Sequence, residues 1–483
     1  MKINRKVLGY ILFFVCLAAV AVLAPVEAES YGAWSLLPAG FIFCFILLTK
    51  GVIEGFLWSG VLAVFIKYRW TVFTVYCSRV SETIQNPDNA YLIIVFLLLG
   101  VLIVALKKSG AATFFARKVA TKAKSSKIAL LLTWAMSWLL CVDDYLCTFV
   151  TGASLAPVND QYKIPREATA YVIRSSAVHT SSLIPIGSWV IFGATLLETN
   201  GFAESGQGVA AYMKVMPFMF YCIVSLIFGF LFCIGKMPKV GLMKKAYERV
   251  EAGGSAIPPK ATAEEGEEET DEVVEPRKGV NLLSFLIPIL SMIGLCIYFG
   301  FDMQLGLTAA ILITGILFAV QKIFAADRLF GLIVEGFNDM MEMTFLLVIG
   351  FTMTGMVSEL GFTEFIVGAT AGILNPALLP VILFVLFSAT EFLVTFNWTL
   401  YMMVMPSVIA LAAATGANVY LCLGAMFCAG LFGSNCSFAS DAGLCTAAAT
   451  GVDLYDHNLS MMPYSIVAFI VSAVLYLAAG FIL

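Results

Sequence analysis

Charged side chains are scarce in this chain: Asp, Glu, Lys and Arg together make up 12% of its 483 residues, and histidine occurs only as His179 and His457. Hydrophobic residues reach 60%, well above the roughly 45–50% of a soluble domain. An ordinary soluble enzyme is thereby excluded. Metal-type cysteine spacing is missing as well. Cys141 and Cys147, or Cys436 and Cys445, lie in apolar runs rather than CxxC clusters, so the twelve cysteines read as small buried hydrophobes. No HExxH, GxSxG or P-loop pattern occurs. The net charge of −4 says nothing about nucleic acid, because eight of the 32 acidic residues are concentrated in Glu264 through Glu275. With Pro258, Pro259 and Pro276, that stretch reads as a solvated, disordered linker.

What the chain does have is apolar runs of about 20 residues, the length that crosses a bilayer. Spans are expected near 7–25, 33–49, 51–66 and 91–106, then 213–235, 280–301, 304–323, 340–358 and 462–482. The first thirty residues resemble a secretory signal, with Lys2, Arg5 and Lys6 ahead of an apolar run and Val26-Glu27-Ala28 behind it. An uncleaved first span with a cytoplasmic N-terminus is the expectation. The run from Ile128 to Val158 is too long for one span and is interrupted by Asp143-Asp144. Basic residues flank both of its ends, which predicts a re-entrant hairpin with the acid pair at its tip. A second hairpin is expected over 376–415, with Glu391 to Asn397 near its tip.

The two halves echo each other at an offset of about 250 residues. Ala105-Leu106-Lys107-Lys108-Ser109-Gly110 before Phe114 returns as Met356-Val357-Ser358-Glu359-Leu360-Gly361 before Phe365, Pro157 as Pro406, and Tyr171 as Tyr420. Two expected helix breaks follow the same offset, at Ile184-Pro185-Ile186-Gly187-Ser188 and at Gly433-Ser434-Asn435-Cys436-Ser437. Flanking charge has opposite character in the copies. Arg117, Lys118, Lys122, Lys124 and Lys127 follow the first Gly, whereas Glu364 and no nearby base follow the second. By the positive-inside rule one copy is inverted, the architecture of secondary transporters. The fold class is therefore an all-α integral membrane protein with two inverted repeats, re-entrant hairpins, broken helices and about eleven spans. Its expected divisions are N-terminal scaffold spans over 1–106, a first transport repeat over 107–235 and an acidic cytoplasmic linker over 236–279. Second scaffold spans over 280–358 and a second transport repeat over 359–483 complete the chain.

Broken backbone is tolerated at membrane depth only where protein or a water-filled cavity covers it, so the hairpin tips and helix breaks should converge on one site. Asp143 and Asp144 are the strongest candidates there, since charge at the bilayer centre costs about 2.5–3.5 kcal/mol even on insertion scales. They read as a cation or proton site, or as a helix cap with a salt-bridge partner. Arg174 either pairs with one of these acids or grips an anionic substrate through its fork. His179 is a proton relay or a packed, hydrogen-bonded core histidine. Ser188 and Trp189, Asn397, Trp398 and Thr399, and Asn435, Cys436 and Ser437 supply uncharged polar groups suited to a cation, with or without an organic acid. Glu391 sits near the second hairpin tip. Asp441 either binds or caps the following helix. Asp453, Asp456 and His457 are expected at the solvated cytoplasmic mouth.

Asp143-Asp144-Tyr145, Pro157-Val158-Asn159-Asp160, Tyr171-Val172-Ile173 and Pro185-Ile186-Gly187-Ser188-Trp189 resemble a signature of the NhaC family of sodium/proton antiporters, within the ion transporter superfamily. Gly433 through Asp441, continuing to Asp453, His457 and Pro463-Tyr464, is similar to a second signature, and Asn397-Trp398-Thr399 to the family's motif before a Pro, here Pro406. The resemblance implies a homodimer working as an elevator. It also implies sodium or proton coupling with no further cofactor, and Asp143, Asp144 and Asp441 as the sodium positions. Arg174 stands where the family usually has Asp, and His179 where it usually has Pro. The family's Gly-Asp-His-Cys-Ser-Pro becomes Gly433 to Phe438, losing an acid and a His. Such departures make an amino acid or carboxylate an alternative cargo, which some relatives carry. The resulting expectation is a multi-pass carrier of the plasma (inner) membrane, in contact with lipid and not with nucleic acid. A channel, a non-transporting receptor and an integral membrane enzyme are the alternatives.

Overall fold

The computed structural model describes residues 5–26, 28, 31–49, 51–258, 274–299, 302–362, 364–365, 368, 375–394, 398–437 and 440–483. Among them there is no β-strand. The first half comprises α1 (Arg5–Leu23), α2 (Leu36–Thr49), α3 (Val52–Tyr68), α4 (Val72–Gln85), α5 (Pro87–Ser109) and α6 (Ala111–Ala120). A hairpin of α7 (Ser126–Leu139) and α8 (Asp144–Gln161) follows, then a segmented run of α9 (Arg166–Arg174), α10 (Ala177–Leu183) and α11 (Ser188–Thr199). The half closes with α12 (Gly208–Val215), α13 (Phe220–Cys233) and α14 (Gly241–Glu251).

The second half holds α15 (Leu283–Tyr298), α16 (Met303–Val320), α17 (Ala326–Asp339) and α18 (Met341–Glu359). Another pair, α19 (Leu379–Val394) and α20 (Trp398–Thr415), precedes α21 (Val419–Cys436), α22 (Asp441–Thr450) and α23 (Leu454–Ile482). Six helices among the described residues are long and apolar enough to cross a membrane, or up to eight if each bent pair counts as one span. The expected eleven included helices such as α15, of 16 residues, and α13, of 14, which fall short of that length on their own. Large apolar side chains including Ile316, Val320, Phe330 and Ile470 are exposed, as a surface meeting lipid requires.

Several local expectations change. The amphipathic segments α4, α6, α14 and α17 are helices where the hydropathy pattern had marked no span. The second break lies after Cys436 rather than from Gly433. With no proline in Gly433–Cys436 the helix continues, and Ser440 then caps α22 by accepting from the Gly443 amide at 3.2 Å. The expected linker over 236–279 contains an ordered helix, α14, and is tied down at both ends. Arg249 forks onto Glu167 at 2.8 and 3.0 Å and also donates to the Ser255 and Ala256 carbonyls. At the other end Arg117 forks onto Glu275, both bonds at 2.6 Å, and the Arg277 amide donates to the Ser109 carbonyl.

These two forks are unequal. Arg117 and Glu275 are exposed, where an ion pair contributes little. Glu167 is buried, so Arg249→Ala would strand a carboxylate and should destabilise the protein by about 3 kcal/mol. Arg117→Ala should leave the unfolding temperature nearly unchanged. Equal effects in thermal unfolding of the two variants would contradict this assignment.

Candidate functional site

The first hairpin turns at Leu140 to Asp143, between two apolar helices. Asp143 caps α8, its Oδ1 accepting from the Leu146 amide at 2.8 Å, and the positive end of the α8 dipole favours both acids of the pair. Asp144, also buried, accepts from Trp189 Nε1 at 3.1 Å. Pro185 ends α10, and the chain bends by 42° before α11 begins. Across that bend the Ser188 amide donates to the Val142 carbonyl at 2.9 Å, which fastens the first helix break to the hairpin tip. The Ser188 hydroxyl is buried and has no hydrogen-bond partner among the described residues. Trp189 stacks on Trp398, with ring centroids 4.5 Å apart, so the start of α20 in the second half closes over the same place. Lys107 and Asp339 are close enough for their fields to reach the Asp143 carboxyl.

The second group of candidates gathers where α21 ends. Tyr171 packs against Phe232 and Tyr464, at centroid distances of 4.9 and 4.8 Å, and this cluster holds α9 in place. Arg174, in the last turn of α9, donates to the Ser434 carbonyl and to Ser440 Oγ. These described hydrogen bonds run to the second break, not to the Asp143–Asp144 turn. Asn435 donates to the Tyr221 hydroxyl at 3.0 Å, and Cys436 Sγ lies 3.7 Å from the same oxygen. The Ser437 carbonyl accepts from Asn458 Nδ2 at 3.3 Å. His179 is fully buried with its ring edge-on to Tyr221 at 5.6 Å, and neither ring nitrogen has a hydrogen-bond partner among the described residues.

Glu391 is fully buried in the last described turn of α19. It faces Gly433, where an added Cβ would lie 2.8 Å from the Glu391 backbone, so only glycine permits this approach of α19 to α21. Asn397 lies outside the described residues, as do the side chains of Thr399 and Asp441. Asp441 opens α22, whose cap is Ser440 rather than Asp441.

The expected solvated mouth needs correction at one position. Asp453 caps α23 through the Tyr455 and Asp456 amides, but His457 is fully buried and lies within the field of Arg174. Helix α23 packs on α9 and α21, which turns this histidine inward. Sequence reasoning also passed over Lys107, Tyr221, Asp339, Ser440 and Asn458. Of these, Asp339 carried a usable signal, an acid ending an apolar amphipathic segment. Tyr221 and Asn458 carried none, since each acts through a partner remote in sequence, whereas Ser440 carried the local signal of a helix cap three residues before the Gly443 amide.

Over residues 190–481 the sequence matches the Na+/H+ antiporter family. An uncharacterized Haemophilus influenzae protein is 22% identical over 487 aligned positions, covering 94% of this chain and 92% of its own. Two solved structures share the fold. The Alcanivorax borkumensis YdaH transporter, described as having an unusual topology, superposes with a TM-score of 0.58 at 10% identity, covering 98% of each chain. Neisseria gonorrhoeae MtrF, described with a class of antimetabolite efflux pumps, superposes with a TM-score of 0.57 at 13% identity, covering 99% of this chain and 95% of its own.

Proposed function

Because the chain belongs to the Na+/H+ antiporter family, we propose that it is a secondary active transporter coupled to sodium or protons, exchanging cations or moving a small amino acid or carboxylate. The observation that carries this reading is the burial of adjacent carboxylates, Asp143 and Asp144, at a hairpin tip fastened to a helix break. Two acids in an apolar setting share a proton readily or attract a cation, and the Ser188 hydroxyl, without a hydrogen-bond partner among the described residues, adds a neutral ligand. Asp441, third of the sodium positions implied by the family resemblance, opens a helix that runs beside α8, with Ala449 against Gly152.

Repeat architecture is supported by the element bounds. The pair α7 and α8 recurs as α19 and α20, and the run broken before Ser188 recurs as the run broken before Asp441, close to the offset of about 250 residues seen in sequence. With the opposite flanking charge, this favours inverted repeats and a cytoplasmic N-terminus in the plasma (inner) membrane. A homodimer working as an elevator is what the family resemblance implies.

Uptake into proteoliposomes under separately imposed sodium and proton gradients, screened across amino acids and carboxylates, tests the reading. Saturable flux that needs at least one gradient and is trans-stimulated by counter-substrate is the expected result. Flux that neither saturates nor responds to a counter-substrate would mark a channel, and a chemically altered product an enzyme.

A further inference from the structure

A helix that stops within a membrane protein leaves its last carbonyls, the negative end of its dipole, turned into the site. Transporters of this architecture commonly satisfy such carbonyls with a bound metal cation. At the second break the carbonyl is that of Ser434, and it accepts from the Arg174 guanidinium and, at 2.7 Å, from the Ser440 hydroxyl. Arg174 also donates to Ser440 Oγ at 2.7 Å, and Ser440 caps the next half-helix. A backbone carbonyl and a hydroxyl are oxygen ligands that a sodium ion would take. Two further oxygens of this segment, Asn435 Oδ1 and Ser434 Oγ, are buried without a hydrogen-bond partner among the described residues. No arginine stands at the repeat-related position, which is Gly424 at an offset of 250.

We propose that Arg174 is a tethered cation, standing at the second break in place of a bound metal ion. The inference rests on the reading of the chain as a cation-coupled carrier, and it narrows that reading. A guanidinium on a side chain cannot leave, so this break stays charged throughout the cycle. Any coupling ion is then bound and released at the Asp143–Asp144 turn, and the protein carries one dissociable cation fewer than a carrier whose second break fills from solution.

Thermal unfolding of the purified full-length protein in choline, sodium and low-millimolar guanidinium tests this. Four forms are compared: wild type, Asp143→Asn/Asp144→Asn, and each of these with Arg174→Ala. Arg174→Ala should lower the unfolding temperature in choline and regain several degrees, saturably, in guanidinium or sodium, including in the double-Asn background. With Arg174 intact, the double-Asn protein should respond to neither ion. A folded Arg174→Ala protein that ignores both ions overturns the proposal, and so does a sodium response in the double-Asn protein that retains Arg174. Where Arg174→Ala does not fold, Arg174→Lys decides. Restored folded yield supports a requirement for charge, and yield as low as with Ala overturns it. Sodium coupling at the first site is read separately, as the wild-type response that Asp143→Asn/Asp144→Asn removes, so its failure is distinguishable from failure at Arg174.

Discussion

Asp143→Asn and Asp144→Asn should each cut gradient-driven flux by at least about tenfold, equivalent to about 1.4 kcal/mol, while the protein remains folded. Asn caps a helix about as well as Asp, so the Leu146 amide keeps its acceptor in Asp143→Asn. The amide oxygen of Asp144→Asn can likewise still accept from Trp189 Nε1. What both changes remove is the charge. Asp143→Ala separates the two roles, since it deletes the cap as well and should cost about 1 kcal/mol of stability beyond any loss of flux. The measurement pairs flux in proteoliposomes with the unfolding temperature at rising sodium, because a ligand that binds the folded state stabilises it by mass action. Unchanged flux and an unchanged sodium shift in both Asn variants would reduce the pair to a structural cap and a tryptophan anchor.

Gly187→Ala should impair folding and flux together. Its backbone lies against that of Ser181, and an added Cβ would collide with the Ser181 carbonyl oxygen and sit 2.6 Å from the carbonyl carbon. Backbone cannot rotate away as a side chain can. Opening this contact should cost about 3 kcal/mol, at the upper end of overpacking penalties. It would also pull Ser188 from the Val142 carbonyl, detaching the helix break from the hairpin tip. Flux should therefore fall even in whatever fraction folds. Folded yield, unfolding temperature and flux on the wild-type level would show that the break tolerates a side chain and that its tight closure is not required.

The first site was readable because its signals are local. A charged pair interrupts an apolar run at Asp143, and Pro185 removes a helix hydrogen bond two residues before Gly187; the structure turns or breaks at both. Gly433 looked like an equally good breaker, yet α21 runs on to Cys436. That glycine serves the close approach of Glu391, a requirement of packing and not of local conformation. The amphipathic helices α4, α6, α14 and α17 present no continuous apolar run, because their apolar residues line one face only.

Composition and hydropathy were enough to determine an all-helical membrane chain, the internal offset of about 250 residues, and the positions where polar groups interrupt apolar helices, since each of these is a property of neighbouring residues. Which interruptions meet was decided by tertiary packing. Trp189 reaches Asp144 from 45 positions away, and Arg174 reaches Ser440 from 266. The same packing buries His457, although its sequence neighbours Asp453 and Asp456 suggested a solvated end. Hydrophobicity sets which segments leave water but is indifferent to which helix faces which. That choice comes from close packing of backbones at Gly187 and Gly433 and from the need of each buried donor and carbonyl for a partner.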